Sequence, residues 1–286
     1  MVDAAGANDK PVVLITGISG YLGSHIALTF LTDGRYKVRG TVRDKSNQAK
    51  LNPLRSAFGN ELFDQMELVE ADLTNDEQMK SAVQGATYVV HSASPFFFGN
   101  SEAELVTPAV EGTKSIMQAC KENGVKRCVV TSSIASLIYP MERPANNLYT
   151  DKTWSDVNNP AMGMYPKSKL LAERAAWDFV EALPEAERFE LVLVLPGFIL
   201  GPALRMESSV SIDFCKKMLS GDMKEIAYRN FPIIDVRDCA MSHLKAITEA
   251  GAAGKRLICV NDSVWFKDLV MPVAERFGPE GWPVPT

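Results

Sequence analysis

Tyr165 and Lys169 stand four residues apart in the stretch Tyr165-Pro166-Lys167-Ser168-Lys169, which puts both side chains on one face of a helix. A phenol with an ammonium group one turn away can give its proton to an oxygen that is gaining charge. In the reverse direction it can work as phenolate, because the nearby cation favours that form. The reaction that asks for such a pair is hydride delivery to a carbonyl, which leaves negative charge on oxygen. A serine hydroxyl aimed at the same oxygen would polarise it, and Ser132-Ser133 follows the β-branched run Arg127–Thr131, at the rim of an expected strand. Ala172 and Ala176 continue the Tyr165/Lys169 stripe with small side chains, as expected of a face pressed against a sheet.

A hydride needs a carrier, and the chain opens with a segment suited to one. Val12–Thr16 runs directly into Gly17-Ile18-Ser19-Gly20-Tyr21-Leu22-Gly23, followed by the helical apolar positions Leu22, Ile26 and Phe30. Gly17 permits a tight turn, Gly20 lets the main chain approach a pyrophosphate, and Gly23 lets helix pack closely on strand. The helix start then offers free N–H groups and the positive end of its dipole to phosphates. Gly17, Ser19, Gly20, Tyr21, Leu22 and Gly23 are thus the expected dinucleotide loop. Arg43 stands 20 residues past Gly23, where an NAD enzyme would place a carboxylate for the ribose 2′-hydroxyl. A guanidinium suits a 2′-phosphate instead, and Arg39, Lys45 and Lys50 add charge nearby, so NADP(H) is favoured. Asp44 could take the hydroxyl role if the strand ran one residue further. Asp72 of Ala71-Asp72-Leu73 could accept from an adenine amino group or cap a helix. Ser92-Ala93-Ser94 would let a cofactor lie against the backbone, and His91 reads as a packed histidine.

The elements that must hold these residues alternate short apolar runs with longer amphipathic stretches. Strands are expected at Val12–Thr16, Lys37–Val42, Met66–Glu70, Tyr88–His91, Arg127–Thr131 and Leu191–Leu195, and helices at Tyr21–Thr32, Asp76–Val83, Ala103–Glu122 and Met164–Ala182. That rhythm predicts an α/β fold, a Rossmann-type doubly wound parallel sheet over residues 11–195. After Pro196 the rhythm changes, with helices expected near Ile212–Leu219 and from Val236, so residues 196–286 are expected to form a smaller C-terminal substrate lobe.

The 286 residues are 46% hydrophobic and 23% charged with a net charge of −5, which excludes wholesale disorder and disfavours a nucleic-acid binder. Five scattered cysteines without metal spacing read as reduced thiols, and no metal is expected. There is neither an apolar run of membrane-spanning length nor an N-terminal signal segment, so the expected location is cytoplasmic.

The residues Thr16–Gly23, Val42-Arg43-Asp44, Ala71-Asp72-Leu73, Ser94-Pro95, Thr131-Ser132-Ser133, Trp154-Ser155-Asp156, Tyr165-x-x-x-Lys169 and Pro196-Gly197…Gly201-Pro202 follow one another in order. Together they resemble the dihydroflavonol 4-reductase / cinnamoyl-CoA reductase branch of the extended short-chain dehydrogenase/reductases, within the NAD-dependent epimerase/dehydratase superfamily. The resemblance implies that Ser133, Tyr165 and Lys169 are the catalytic triad and that Arg43 and Lys50 hold the 2′-phosphate. It also implies that Lys169 bonds the nicotinamide ribose and that Pro196 begins the loop beside the nicotinamide. Ile138 replaces the asparagine that holds the ring in flavonoid reductases, which argues against a polyhydroxylated flavonoid. The chain stops at Gly281–Thr286, where relatives continue, so the resemblance implies a shortened substrate lobe. Phe96, Phe97, Tyr139 and Phe198 are candidate pocket residues for an aryl or alkyl aldehyde or ketone.

The expected activity is therefore an NADPH-dependent carbonyl reductase, as a monomer or homodimer. Three other readings stay open: a 3β-hydroxysteroid-type dehydrogenase, a nucleotide-sugar epimerase/dehydratase, and a catalytically silent NADP(H)-binding sensor. The second is disfavoured because no carboxylate follows Thr131.

Overall fold

Side chains along the central strands alternate between two apolar layers. Val13, Ile15, Val192 and Val194 face one layer, while Leu14, Leu191, Leu193 and Leu195 face the other. Strands apolar on both faces must be covered on both faces, which a parallel sheet between two helical layers provides. The computed structural model, which describes residues 10–93, 101–205 and 209–285, has this architecture. With elements numbered in chain order, the strands are β1 Val12–Thr16, β2 Lys37–Val42, β3 Glu67–Glu70, β4 Tyr88–His91, β5 Arg127–Thr131, β6 Glu190–Pro196, β7 Phe198–Leu200, β8 Asn230–Asp235, β9 Arg256–Cys259 and β10 Asp262–Trp265. Seven of them form one sheet in the order β3-β2-β1-β4-β5-β6-β9, with every pairing parallel. The order grows outward from β1 in both directions, so the crevice between the carboxyl ends of β1 and β4 is the switch point where ligands bind.

Helices α1 (Tyr21–Asp33), α2 (Gln48–Phe58) and α3 (Asn60–Asp64) cover one face, and α4 (Asp76–Val83), α5 (Glu102–Glu122) and α6 (Met164–Ala182) the other. All six expected strands are present, but the sheet has a seventh, β9. It is only four residues long and carries no alternation of its own, so it owes its conformation to its pairing with Leu193–Pro196. Helix α2 is likewise absent from the expected elements, and Pro53 lies inside it. Proline removes one intrahelical hydrogen bond, yet Leu51, Leu54 and Phe58 bury a common face and the Asn47 side chain caps the first turn. Packing outweighs propensity here.

Residues 196–286 divide between two places. Strands β7, β8 and β10 make a second sheet, and α7 (Val210–Ser220) and α9 (Phe266–Phe277) join it around Met218, Phe231, Phe266 and Val270. Helix α8 (Val236–Thr248) instead packs on α1 and contributes Cys239, Leu244 and Ile247 to the core of the large sheet, and β9 forms its edge. Among the described residues, no helix is long and apolar enough to cross a membrane.

Candidate active site

The turn from β1 into α1 is shaped by two glycines. Gly17 has φ +71°, a left-handed conformation that disfavours a side chain, and its amide donates to Thr41 Oγ1 at 2.9 Å. A Cβ on Gly23 would lie 2.2 Å from the Gly17 carbonyl oxygen, so only glycine lets α1 start this close to the loop. Gly20 is the N-cap of α1, no side chain caps the helix, and its first turn holds no acidic residue. The backbone amides of Tyr21 to Gly23 are thus presented at a dipole end that attracts phosphate. An open backbone cradle of this kind fits the pyrophosphate of a dinucleotide.

Neighbouring segments are stapled to that loop. Ser92 Oγ donates to the Thr16 carbonyl at 2.6 Å, and the Ala93 amide donates to Thr16 Oγ1 at 3.0 Å. The Tyr21 hydroxyl donates to the Gly201 carbonyl at 2.9 Å and Arg205 Nη1 to the Ser19 carbonyl at 2.7 Å, which ties the second sheet's connection to the cradle. Strand β2 ends at Val42, so Arg43 is the first residue past it and is exposed. Asp44 Oδ1 accepts from the Ser46 amide and hydroxyl at 2.8 and 2.6 Å, which holds its pKa below the usual carboxylate value. Asp44 is therefore occupied in a turn, and Arg43 has the strand-end position. Lys50, in the first turn of α2, lies near enough to Asp44 to add to that lowering. Asp72 does not cap α4, which Asn75 does; its Oδ1 accepts from Thr74, and Arg43 helps keep it ionised. Leu73 lines a small cavity with His91 and Lys169. Ser94, Phe96 and Phe97 lie outside the described residues.

Ser133 and Tyr165 come together past the carboxyl end of β5, and Lys169 reaches the last residue of that strand. Ser133 N-caps the short helical turn Ile134–Ser136, where its Oγ accepts from the Ala135 amide at 3.2 Å. Tyr165 is the second residue of α6, and its hydroxyl lies close enough to the Ser133 side chain for the two to interact. The residue keeps 40% of its surface exposed, yet burial pushes the phenol above its ordinary 10.0 while the Ser133 contact acts the other way. Lys169 Nζ reaches the Thr131 carbonyl at 3.5 Å. Burial lowers its pKa to about 8, with Glu173 opposing the fall. The site thus offers a protonated phenol beside a hydroxyl, with a cation one helical turn behind. Of the other candidates, Pro196 ends β6 opposite Cys259, and Tyr139 follows the serine turn, its amide donating to Ser155 Oγ at 2.9 Å. Phe198 belongs to an aromatic cluster with Phe214 and Phe231, at ring-centroid distances of 5.1 and 5.7 Å.

Three supports of the site were not singled out in the sequence. Glu173, 1% exposed, accepts from Ser132 Oγ and from Arg256 Nε, and Arg256 lies on β9. The signal for Glu173 was present, since a carboxylate four residues past Lys169 falls on the same stripe as Ala176. His243 on α8 donates from Nδ1 to the Cys239 carbonyl at 2.7 Å, which leaves Nε2 to accept from Thr131 Oγ1 at 2.8 Å. No local pattern announces that contact or Arg256. His91 is 4% exposed and shares a hydrogen bond of 3.1 Å with Thr16 Oγ1, as a packed histidine should.

Burial pushes His91 down to about 3 and His243 to about 4. A histidine held neutral in the fold takes up its proton on unfolding, so its stabilisation is complete above about pH 6.5 and is lost as the pH falls toward the native pKa. Two such groups give a slope of about 2.7 kcal/mol per pH unit between about pH 6 and 4.5. Thermal unfolding in stepped buffers should therefore show a steep fall in Tm across that window; a flat Tm would reject the neutral-imidazole assignment. Among the described residues, no group of three or more His, Cys, Asp or Glu is arranged to hold a metal ion.

Known proteins share both the sequence and the fold. The model of the NAD dependent epimerase/dehydratase family matches residues 13–259. Cinnamoyl-CoA reductase 1 of Arabidopsis thaliana is 32% identical over 287 residues, covering 100% of this chain and 79% of that protein. Dihydroflavonol 4-reductase of Zea mays is 31% identical, covering 97% and 77%. Among solved structures, Gre2 from Candida albicans in complex with NADPH superposes with a TM-score of 0.82 at 27% identity, covering 96% of this chain and 86% of that one. The yeast methylglyoxal/isovaleraldehyde reductase Gre2, complexed with NADPH, gives 0.81 at 27% identity, covering 96% and 85%. On the family model and these relatives, the chain belongs to the NAD dependent epimerase/dehydratase family, as an extended short-chain dehydrogenase/reductase of the dihydroflavonol 4-reductase and cinnamoyl-CoA reductase type.

Proposed function

We propose that this protein is an NADPH-dependent reductase that acts on the carbonyl of an aldehyde or ketone, with Tyr165 as the general acid. What carries the reading is the placement of the Tyr165 phenol, its pKa raised by burial, next to the Ser133 side chain past the carboxyl end of β5. The NADPH complexes of the two Gre2 structures support the choice of cofactor.

The chemistry the cofactor supplies when bound is a hydride for the carbonyl carbon. The loop Gly17–Gly23 would hold its pyrophosphate, Arg43 and Lys50 would hold the 2′-phosphate, and Asp72 would accept from the adenine amino group. Ser133 donates to the substrate oxygen and polarises it. As charge grows on that oxygen, Tyr165 gives it the phenolic proton. Lys169, cationic below its pKa of about 8, favours the phenolate that remains. Among the described residues, Glu173 is the one carboxylate bonded to Ser132, and it is closed into a buried ion pair with Arg256, so it is not available for the acid/base removal of water that a dehydratase performs.

Loss of NADPH absorbance with a panel of aromatic and aliphatic aldehydes and ketones tests the reading and ranks the substrates; silence across the panel rejects it. In the same assay Arg43→Gln should raise the KM for NADPH about 10–100-fold, the worth of a charge-assisted hydrogen bond of about 1.5–3 kcal/mol, and leave the KM for NADH unchanged. Equal losses with both cofactors would show that Arg43 does not read the 2′-phosphate.

A further inference from the structure

A network of charges lies behind the triad, and its members come from three elements distant in sequence. Glu173 is 1% and Arg256 8% exposed, and their Oε1 and Nε are 2.5 Å apart. Glu173 spends its other oxygen on Ser132 Oγ, next to Ser133. Arg256 in turn donates to the carbonyls of Asp151 and Thr153 at 2.8 and 2.6 Å and to Ser136 Oγ at 3.0 Å, and its guanidinium lies 3.7 Å from the centre of the Trp154 ring. Ser136 belongs to the same short turn that Ser133 caps. One carboxylate therefore touches the serine corner and is locked from behind by a fully engaged guanidinium. An ion pair this dry is a poor stabiliser compared with apolar packing, so its chemistry invites a functional account.

That account comes from what Glu173 faces. A cavity of about 20 Å³ is lined by His91, Thr131, Ser132, Lys169 and Glu173, among others, so the lysine and the carboxylate border the same small space. They are also one helical turn apart on α6. We propose that Glu173, clamped by Arg256, is a positioning residue that keeps Lys169 cationic and fixes the Ser132-Ser133 corner against it. The role given to Lys169 here rests on the reductase reading above.

The other groups around Lys169 do not replace Glu173. From β4 it meets His91, uncharged because of its burial. From β5 it meets the neutral Thr131 carbonyl, and the α5 residues at the cavity are Ala109, Gly112 and Thr113. On its own helix Tyr165 is neutral, and Arg256 on β9 pairs with Glu173 but does not line the cavity that Lys169 and Glu173 share. Among the described residues, Glu173 is the one anion lining this cavity and the one charge that raises the lysine's affinity for its proton.

Glu173→Gln separates charge from shape. The amide keeps an acceptor for Arg256 Nε and a partner for Ser132 Oγ, but loses the anion. Without it Lys169 should titrate lower by about one pH unit, the scale of a single opposite charge at close range. The alkaline limb of kcat/KM for carbonyl reduction should move down by the same amount, with little change in KM for NADPH at pH 6. Glu173→Asp should do the reverse: its shortened side chain loosens the clamp and lowers Tm, while the retained charge leaves the limb where it was. A purely structural role predicts that activity follows Tm at every pH.

Lys169 can be followed without turnover by NMR of ¹³Cε-lysine-labelled protein, its signal assigned with Lys169→Arg. If Glu173→Gln is too unstable to use, Glu173→Gln combined with Arg256→Met removes both buried charges and should still show the lowered titration. An unmoved Lys169 signal in either variant overturns the inference, whatever the assay says. An absence of carbonyl turnover in the wild type, with the signal moving as expected, overturns the reductase reading and leaves the electrostatic role of Glu173 standing.

Discussion

Replacing Tyr165 with Phe is expected to lower carbonyl-reductase turnover by about 10²–10⁴-fold, the usual contribution of a placed general acid. The substitution removes one oxygen, which interacts with the Ser133 side chain, and keeps the ring at the second position of α6. Tyr165 also remains 40% exposed, so little packing is at stake. The cost to stability should accordingly stay within about 1 kcal/mol, that of one neutral hydrogen bond. NADPH affinity, followed by its fluorescence, should hardly move, because the pyrophosphate and 2′-phosphate are assigned to the glycine loop and Arg43. A variant that keeps turnover within tenfold of the wild type would remove Tyr165 from the chemistry. One that loses cofactor binding as well would make its role structural.

The second large effect belongs to Gly23→Ala. The added Cβ would stand 2.2 Å from the oxygen and 3.0 Å from the carbon of the Gly17 carbonyl, and 3.2 Å from Ser92 Oγ. Two of those three atoms are backbone, and Gly17 is itself constrained, with φ +71° and its own space closed by Ala93. The strain cannot be relieved by a rotating side chain, so either α1 withdraws or the loop deforms. Overpacking of this sort costs about 1–3 kcal/mol, and Tm should fall. Because the displaced atoms present the amides for phosphate, NADPH affinity should drop on the order of 10²-fold, the penalty of an ångström-scale misplacement. Calorimetric titration with NADPH reads that loss directly; unchanged affinity would mean that the cofactor does not use this cradle.

Much of this site was legible in the sequence because its parts are local. The turn Gly17–Gly23 needs its glycines for reasons internal to seven residues, and Tyr165 and Lys169 share a face through helical periodicity alone. The six expected strands were readable because a parallel sheet demands continuous apolar runs. Helix α2 was not, since Pro53 speaks against it locally and only the burial of Leu51, Leu54 and Phe58 overrides that. Trp154-Ser155-Asp156 was noticed as a motif, but its work became visible only in three dimensions. There Ser155 Oγ donates to the Ala135 carbonyl at 2.8 Å, and Trp154 lies beside Arg256, so the segment braces the serine turn from behind.

The glycine turn before α1, the shared face of Tyr165 and Lys169, and the guanidinium at the end of β2 could be read without the fold, because each depends on spacing within one strand, turn or helix. Only the tertiary structure decided how the triad is supported. Arg256 reaches Glu173 across 83 residues and Ser136 across 120, and His243 reaches Thr131 across 112. Those contacts exist because β9 returns to pair with β6 and α8 packs across the sheet beside α1. Strand order is set by the closing of a common core, and that closure, unlike a helical period, leaves no local repeat to read.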